Sequence, residues 1–271
     1  MTPRWVDSHC HLQEHYLPDD PDATALAALR RARDEGVVGV VVVGTDEATS
    51  RQAIELAQVV SSGALGPELP AVSAAVGLHP HEASSSLSWL DALVAEVPAH
   101  VAGLGECGLD YHYDHAPRAE QRASFSHQIA LALEHDLTLV IHARDAWDDL
   151  FDILDADGIP PRCVLHCFTG GPAEAARCVE RHLAVSFSGI ATFKNAHDVR
   201  AAVREVPLEH LLIETDSPFL APVPHRGAQN EPSWVGLVGG AVADAGGWGI
   251  EEVADVTARN AAGLFKLALG T

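Results

Sequence analysis

Short apolar segments alternate with amphipathic segments along the whole chain, and this alternation constrains the fold more than any other feature of the sequence. Several apolar segments are nearly continuous, as in VVGVVVVG (37–44), LTLVIH (137–142) and LLIET (211–215). Such runs are typical of parallel strands that are covered on both faces of a sheet. The eight strand candidates are Trp5–His9, Val37–Gly44, Ala71–Leu78, Val101–Gly105, Thr138–His142, Arg162–His166, Ala184–Ser188 and His210–Glu214.

Helix candidates lie between the strand candidates. In the first of them, Ala25, Leu29 and Ala32 recur at helical spacing and Gly36 marks the end. The Ser/Gly/Pro-rich segment 61–70 is interpreted as a loop between a helix and the next strand. The helix candidates are Asp22–Glu35, Ala48–Ser61, Ser88–Val97, Ala119–His135, Trp147–Asp155, Pro172–His182 and His197–Val206, with a pair of helices after Pro232.

Eight strands that are each followed by a helix predict an α/β fold, a closed (β/α)8 TIM barrel that forms one domain over residues 1–271. An open, doubly wound parallel sheet is the alternative. That fold usually has fewer strands and needs a glycine-rich first turn, which this sequence lacks. The pattern therefore favours the barrel.

The charge balance and the cysteines limit the class of protein. The chain has 17 Lys and Arg against 38 Asp and Glu, a formal net charge of −21, which argues against a general binder of polyanions. It does not exclude a pocket that grips phosphate through bound metal. The five cysteines form no CxxC pair, the N-terminal residues form no apolar leader, and no aliphatic run approaches the ~20 residues of a membrane helix. We expect a cytoplasmic protein with no membrane partner.

Seven residues with ligating or acid–base side chains fall at or just past the C-terminal ends of predicted strands. They are His9, His11, His79, Glu106, His142, His166 and Asp216. The active sites of barrels are built at this end, from loops that follow several strands. The chain has 16 histidines and most of them should be surface or packing residues, so position is what distinguishes these.

His9 and His11 form an HxH motif at the end of the first predicted strand. Side chains two residues apart on a strand point to the same side, so the pair can hold one cation. An HxH motif alone is as consistent with a structural role as with ligation. The position of this one, with matching residues downstream, favours ligation.

Glu106 lies among glycines and apolar residues in GLGECGLDY (103–111). A helix cap or a salt bridge is the alternative interpretation, but no basic residue follows before Arg118. An unpaired buried carboxylate would be costly there, whereas its two oxygens can bridge two cations. Bridging is the preferred role. The neighbouring Cys107, like Cys10, is interpreted as a small buried residue.

His142 and His166 end two consecutive apolar strands, and Asp216 follows the last one. A single histidine in such a position is most often a hydrogen-bonded core residue. Two at the same end of adjacent strands are better explained as a second ligand pair. The carboxylate of Asp216 can bind the first cation and accept a proton from water.

Four histidines and two carboxylates predict a site for two divalent cations. Nitrogen and oxygen ligands without thiolate suit Zn²⁺, Mn²⁺, Fe²⁺ or Co²⁺, and Mg²⁺ where waters complete its shell. Two cations about 3.5–4 Å apart can share a bridging hydroxide nucleophile and stabilise both the attacking and the leaving oxygen. The residues alone leave the choice of metal open.

Seven motifs in order extend from near Asp7 to near Phe265. They are DSHCHL (7–12), GLHP (77–80), GECGLDY (105–111), IHAR (141–144), HCFTG (166–170), ETDSPFL (214–220) and PHRGAQNEP (224–232), with Asn260 after them. On these motifs the chain resembles the TatD family of metal-dependent deoxyribonucleases, within the amidohydrolase-like barrel superfamily. The resemblance implies a (β/α)8 barrel and hydrolysis of nucleic-acid phosphodiesters, commonly 3′→5′ from the ends of single-stranded DNA.

The resemblance also implies a role for each candidate residue. One cation would be held by His9, His11 and Asp216, and the other by His142 and His166, with Glu106 between them. Asp216 would also act as general base.

Three further residues would meet the scissile or a neighbouring phosphate, by the same resemblance. These are His79, Arg144 and Arg226, and a guanidinium suits that task. For Arg144 the alternative is a salt bridge to Asp145 or Asp148.

The sequence departs from the family pattern at two positions. Gln13 stands where the family usually has an acid, which bears on how His11 is oriented. Ala228 replaces a basic residue often found after the Arg-Gly pair. With the net charge of −21, these departures leave the ligand set intact but weaken the expected binding of long DNA.

Two other functions are compatible with the sequence. The same two-metal barrel could hydrolyse a small ester, amide or lactone, a phosphotriester or an aminoacyl-tRNA ester, although related barrels of that kind often carry a modified lysine where this chain has Glu106. A non-catalytic metal-binding scaffold is the alternative of another class. A nucleic-acid-binding module without catalysis is disfavoured, because no Lys/Arg cluster or series of stacking aromatics is visible. A monomer is the favoured state.

Overall fold

Eight parallel strands form one sheet in which each strand pairs with the next one along the chain. The computed structural model describes residues 3–19, 23–66, 69–96 and 100–270. The strands are β1 (Trp5–Cys10), β2 (Val37–Val43), β3 (Ala71–Val76), β4 (Val101–Asp110), β5 (Thr138–Arg144), β6 (Cys163–Leu165), β7 (Ala184–Phe187) and β8 (Leu211–Ile213). The predicted (β/α)8 barrel is confirmed.

The barrel is closed between β1 and the segment that follows β8. The backbone N–H of Asp216 donates to the carbonyl of His9 at 3.0 Å, and that of His11 donates to Ser217 at 2.8 Å. Three candidate ligands therefore lie in the two segments that complete the barrel, and its closure brings them together.

Helices lie between successive strands, and a pair of helices follows the last strand, as expected. They are α1 (Ala25–Asp34), α2 (Glu47–Ser61), α3 (Ser88–Glu96), α4 (Arg118–Glu134), α5 (Trp147–Asp157), α6 (Pro172–Glu180), α7 (His197–Val203), α8 (Val235–Gly246) and α9 (Ile250–Phe265). The predicted start at Asp22, the predicted end at Val97 and positions 67–68 of the predicted loop lie outside the described residues. Among the helices described, none is long and apolar enough to cross a membrane.

Strand β4 is longer than predicted, because the glycine-rich segment does not end it. The strand continues through Glu106 to Asp110, with a register shift against β5 between Leu104 and Cys107. Gly105 and Gly108 have φ values of 133° and 131°, and a Cβ on either would lie within 2.3 Å of a carbonyl oxygen of β5. The glycines thus let two strands approach closely around Glu106, which lies within the strand and not past its end.

The inner face of the barrel is filled by side chains from alternate strand positions, such as Val41 and Val140. Phe265 and Leu267, at the end of α9 and just beyond it, belong to the same buried cluster. A Cβ on Gly39, near the start of β2, would lie 3.3 Å from Leu267. The C-terminal segment therefore fills the end of the barrel where the strands begin, and the opposite end is left for a site.

Candidate metal centre

A pocket of about 600 Å³ opens at the C-terminal ends of the strands. Most of the residues singled out in the sequence line it, namely His11, His79, Glu106, His142, Arg144, His166 and Asp216. His9 is fully buried in contact with this group. Arg226 is not among the lining residues.

Glu106 lies at the centre of the group, and its two carboxylate oxygens face different histidine pairs. Oε2 lies 3.5 Å from His9 Nε2 and 3.9 Å from His11 Nε2. Oε1 lies 2.9 Å from His142 Nδ1 and 2.8 Å from His166 Nε2. The side chain is buried, so its oxygens depend on these partners and not on bulk water.

The first histidine pair shares its space with Asp216. The Nε2 atoms of His9 and His11 are 3.3 Å apart, and Asp216 Oδ1 lies 3.8 Å and 3.5 Å from them. His11 donates through Nδ1 to the carbonyl of Val43 at 2.9 Å, which leaves Nε2 as the ring atom that faces Asp216. This arrangement of two imidazole nitrogens and a carboxylate oxygen suits a divalent cation.

The second pair is oriented by two carboxylates that the sequence analysis missed. His166 contacts Glu214 through Nδ1 at 3.2 Å, and His142 contacts Asp110 through Nε2 at 3.3 Å. The facing nitrogens, His142 Nδ1 and His166 Nε2, are 3.4 Å apart. Carboxylates commonly hold metal-binding imidazoles in this way. Their presence inside the family motifs ETDSPFL and GECGLDY was the one available signal.

Burial and mutual contacts set the charges of these groups. Burial disfavours the charged form of Glu106, but the surrounding imidazoles outweigh it and hold its pKa well below the usual value. Burial likewise opposes charge on His166, yet Glu106 and Glu214 raise the pKa of that imidazole well above its usual value. Asp216 also has a lowered pKa despite its burial, mainly through its hydrogen bond with His11. The carboxylates of Glu106 and Asp216 are therefore ionised, and the imidazole of His166 carries a proton, which a bound cation would replace.

Two of the three proposed phosphate contacts lie in the pocket. His79 Nε2 is 3.4 Å from Glu106 Oε1, and burial lowers the pKa of His79 to about 4. The guanidinium of Arg144 lies 4.9 Å from the centre of the Tyr113 ring. The alternative salt bridges of Arg144 do not form, because Asp145 pairs with His112 and Asp148 pairs with Arg177.

Arg226 lies on the ring of Phe193, with 3.6 Å between the guanidinium carbon and the ring centre. Phe193 itself lines the pocket. Arg226 therefore contacts a ring of the pocket wall and is not itself one of the lining residues.

The two departures from the family pattern have different surroundings. Gln13 is buried and donates through Nε2 to the carbonyls of Val43 and Thr49, at 2.8 and 3.2 Å. His11 donates to the same Val43 carbonyl, so Gln13 and this candidate ligand are linked through one shared acceptor. Ala228 lies exposed in the loop after β8.

Aromatic side chains gather at the pocket, which the sequence did not reveal. They are Tyr16, Tyr113, Phe193 and Phe219. Each comes from a different segment of the chain, so no local series could be read from the sequence. The absence of a local series of stacking aromatics in the sequence therefore does not extend to the folded pocket, where these separate rings come together.

The match to known proteins covers nearly the whole chain. The family described as TatD related DNase matches residues 6–266. The chain belongs to the TatD family. YabD of Bacillus subtilis (strain 168), named as an uncharacterized metal-dependent hydrolase, is 39% identical to this TatD-family chain over 268 residues, covering 96% of it and 98% of YabD.

Two further comparisons agree. A protein of Erwinia amylovora named 3′-5′ ssDNA/RNA exonuclease TatD is 34% identical over 249 residues, which are 88% of this chain and 92% of that protein. The crystal structure of YjjV, a TatD homolog from Escherichia coli K12, superposes with a TM-score of 0.87 at 27% identity, covering 98% of this chain and all of the other. This TatD-family protein is a metal-dependent hydrolase, and the nitrogen and oxygen donors around Glu106 fit divalent cations.

Proposed function

We propose that the protein removes nucleotides from the 3′ end of single-stranded DNA by hydrolysing phosphodiester bonds. The observation that carries this proposal is the position of Glu106, whose two oxygens each face a separate pair of imidazole nitrogens. A carboxylate placed in this way can bridge two cations, and two-cation sites are common among enzymes that cleave phosphodiesters.

The residues divide into two donor sets that share Glu106. One set is His9, His11 and Asp216, and the other is His142 and His166. Mg²⁺, Mn²⁺ and Zn²⁺ all accept such donors in proteins. When bound, the cations supply Lewis-acid polarisation of the phosphate and lower the pKa of water.

Asp216 is the proposed general base. Its side chain is 13% exposed, so it reaches the pocket, and its lowered pKa keeps it ionised at neutral pH. An ionised carboxylate at this position can accept a proton from the attacking water. His79 and Arg144, which line the same pocket, would contact the phosphate, and Arg226 would meet a neighbouring phosphate.

The choice of substrate rests on the relatives. The name of the Erwinia amylovora protein gives 3′-5′ activity on single-stranded DNA and RNA, and that protein is similar to this chain over most of both lengths. A small ester, amide or lactone is the alternative substrate for the same donor sets. The monomeric state and the cytoplasmic location stay predictions of the sequence.

The test uses protein stripped of metal and a single-stranded oligonucleotide labelled at its 5′ end, with Mg²⁺, Mn²⁺ or Zn²⁺ added back. We expect a metal-dependent ladder that shortens from the 3′ end. Glu106→Ala, purified in the same way, should lose the ladder, and its activity would reveal a contaminating nuclease. The absence of cleavage with every metal would refute the proposal, and a panel of small esters and amides in the same assay tests the alternative.

A further inference from the structure

Phe219 presents a half-exposed ring at the mouth of the pocket. Its side chain is 51% exposed, although it lines the same pocket as Asp216. The ring centre lies 6.2 Å from that of His11 and 6.0 Å from that of Tyr16, with interplanar angles of 71° and 80°. A large apolar ring held open beside a candidate ligand has a surface available to a flat partner.

Two other rings of the pocket, those of Tyr113 and Phe193, already have partners on their faces. Tyr113 is 52% exposed, but Arg144 lies 4.9 Å from its centre and His115 stacks on it at an interplanar angle of 8°. Phe193 carries Arg226 at 3.6 Å. Within the described ranges Phe219 has neither a cation nor a parallel ring on its face, which makes it the better stacking surface.

The backbone of Phe219 is fixed relative to the candidate metal centre. Its N–H donates to the carbonyl of Asp216 at 2.9 Å. The buried side chain of Asn230 donates to the carbonyls of Phe219 and Thr215, at 2.6 and 2.8 Å. The turn that carries Asp216 therefore also fixes the backbone from which the ring projects, so that no backbone ordering is needed when a partner stacks on it.

We propose that Phe219 stacks on a nucleobase next to the scissile bond and thereby selects unpaired ends, an inference that rests on the proposed phosphodiesterase function. A phosphate held near His11 places the adjoining base within reach of this ring. At a duplex end the terminal base is held by its pairing partner and by the stack below it, whereas an unpaired base turns toward the ring without that unpairing cost. Stacking on an aromatic side chain is tolerant of sequence and supplies about 1–3 kcal/mol per base.

The charge of the protein makes such a contact more important. The net charge of −21 repels the DNA backbone, so attraction to the phosphates supplies less of the affinity than in a basic nuclease. An apolar contact to the base is unaffected by this repulsion. We therefore assign to Phe219 a role in binding and selecting the substrate, and no role in the chemical step.

The test compares Phe219→Ala with the wild type on a single-stranded oligonucleotide, after removal and return of metal. We expect KM to rise about 5- to 150-fold, which corresponds to the energy of one stacked base, with little change in kcat. Phe219→Trp should restore the KM. Val223→Ala alters a side chain of the same loop that is 46% exposed and does not line the pocket, and it should behave as wild type.

Oligonucleotides with an abasic site at the last or the next-to-last position identify the stacked base. On one of the two, wild type and Phe219→Ala should have the same KM, because the partner of the ring is missing. If the KM of wild type and that of Phe219→Ala differ on both abasic substrates by as much as on the intact oligonucleotide, the ring does not stack on either base. The stacking role is then wrong. Phe219→Leu, which keeps an apolar side chain but loses the flat face, serves if Phe219→Ala does not fold.

The outcomes separate the two proposals. Cleavage by the wild type together with an unchanged KM in Phe219→Ala overturns the stacking role and leaves the nuclease intact. A loss of kcat alone in Phe219→Ala also overturns it. A wild-type protein that cleaves no oligonucleotide with any metal overturns both.

Discussion

His11 and Gln13 donate to the same backbone oxygen, the carbonyl of Val43, at 2.9 and 2.8 Å. The amide of Gln13 also reaches the carbonyl of Thr49, so its nitrogen serves two acceptors inside the protein. A side chain at this position must therefore donate hydrogen bonds, and it is linked to the candidate ligand His11 through the carbonyl that both share.

Gln13→Glu should destabilise the protein, even though it introduces the acid that the family usually has there. An ionised carboxylate can only accept, and it would face two carbonyl oxygens in a buried site. We expect a loss of about 1–3 kcal/mol in the free energy of unfolding, measured by urea denaturation without metal. Gln52→Glu is the matched control, because Gln52 accepts through its oxygen from the N–H of Glu14. Equal stability of the two variants would contradict this account.

Asp7 gives a pH dependence with a definite sign. Burial raises the pKa of its carboxyl to about 8, although Thr215 donates to both oxygens. This pKa lies above that of aspartate in the unfolded chain, so the folded protein binds the Asp7 proton more tightly than the unfolded chain does. The resulting contribution of Asp7 to the free energy of unfolding is complete at pH values below about 4 and is lost as the pH rises toward 8.

Relative to Asp7→Asn, the free energy of unfolding of the metal-free wild type should fall by about 1.4 kcal/mol per pH unit between about pH 5 and 7. The variant carries no titrating group at this position, so the difference between the two proteins isolates Asp7 from the other carboxylates. Asp34→Asn, on the exposed side of α1, controls for the removal of a charge. Parallel pH profiles for wild type and Asp7→Asn would show that the Asp7 carboxyl is ionised throughout.

Glu214→Gln should weaken metal binding without unfolding the protein. Glu214 is fully buried and its Oε1 contacts both His166 Nδ1 and the N–H of Cys167. The amide keeps an acceptor oxygen but loses the charge that favours His166 as a ligand. We expect affinity for the cation proposed for His142 and His166 to fall about 10- to 100-fold in a chelator competition. The exposed Glu209→Gln should bind as wild type, and an unchanged affinity in Glu214→Gln would exclude the positioning role.

Cation binding should release protons. The raised pKa of His166 means that its imidazole is protonated at neutral pH in the metal-free protein, and a cation must replace that proton. Apparent affinity should therefore fall as the pH falls. Calorimetric titrations in two buffers of different ionisation enthalpy give the number of protons released, and a value of zero between pH 6 and 8 would be incompatible with the protonated state.

Gly108→Ala should disturb the approach of β4 to β5. Its φ is 131°, and an added Cβ would lie 2.1 Å from the carbonyl oxygen of His142. We expect a destabilisation of at least about 1–3 kcal/mol with a loss of bound metal. Gly263→Ala provides the comparison, because a Cβ there meets no atom within 4 Å and lies in α9, where alanine is favoured. Similar unfolding midpoints for the two variants would refute the steric explanation.

The sequence predicted the barrel because nearly continuous apolar runs and helical periodicity are local properties. It also located the candidate ligands, since the ends of parallel strands meet at one edge. It did not predict the length of β4, because GECG reads as a strand end unless the partner strand is known. Asp110 and Glu214 were missed for a related reason, because a carboxylate that supports a histidine from another strand is visible only in three dimensions. Phe219 could likewise be recognised only from its exposure beside the pocket.

The hydrogen bonds that close the barrel join parts of the chain that are far apart in sequence, and Asp7 and Thr215 beside them are 208 residues apart. Contacts between such distant segments have a high entropic cost and form only after most of the polypeptide has been synthesised. A cation shared by His9, His11 and Asp216 would fasten these same segments. Metal supply during biosynthesis would then govern how firmly the first strand is joined to the last.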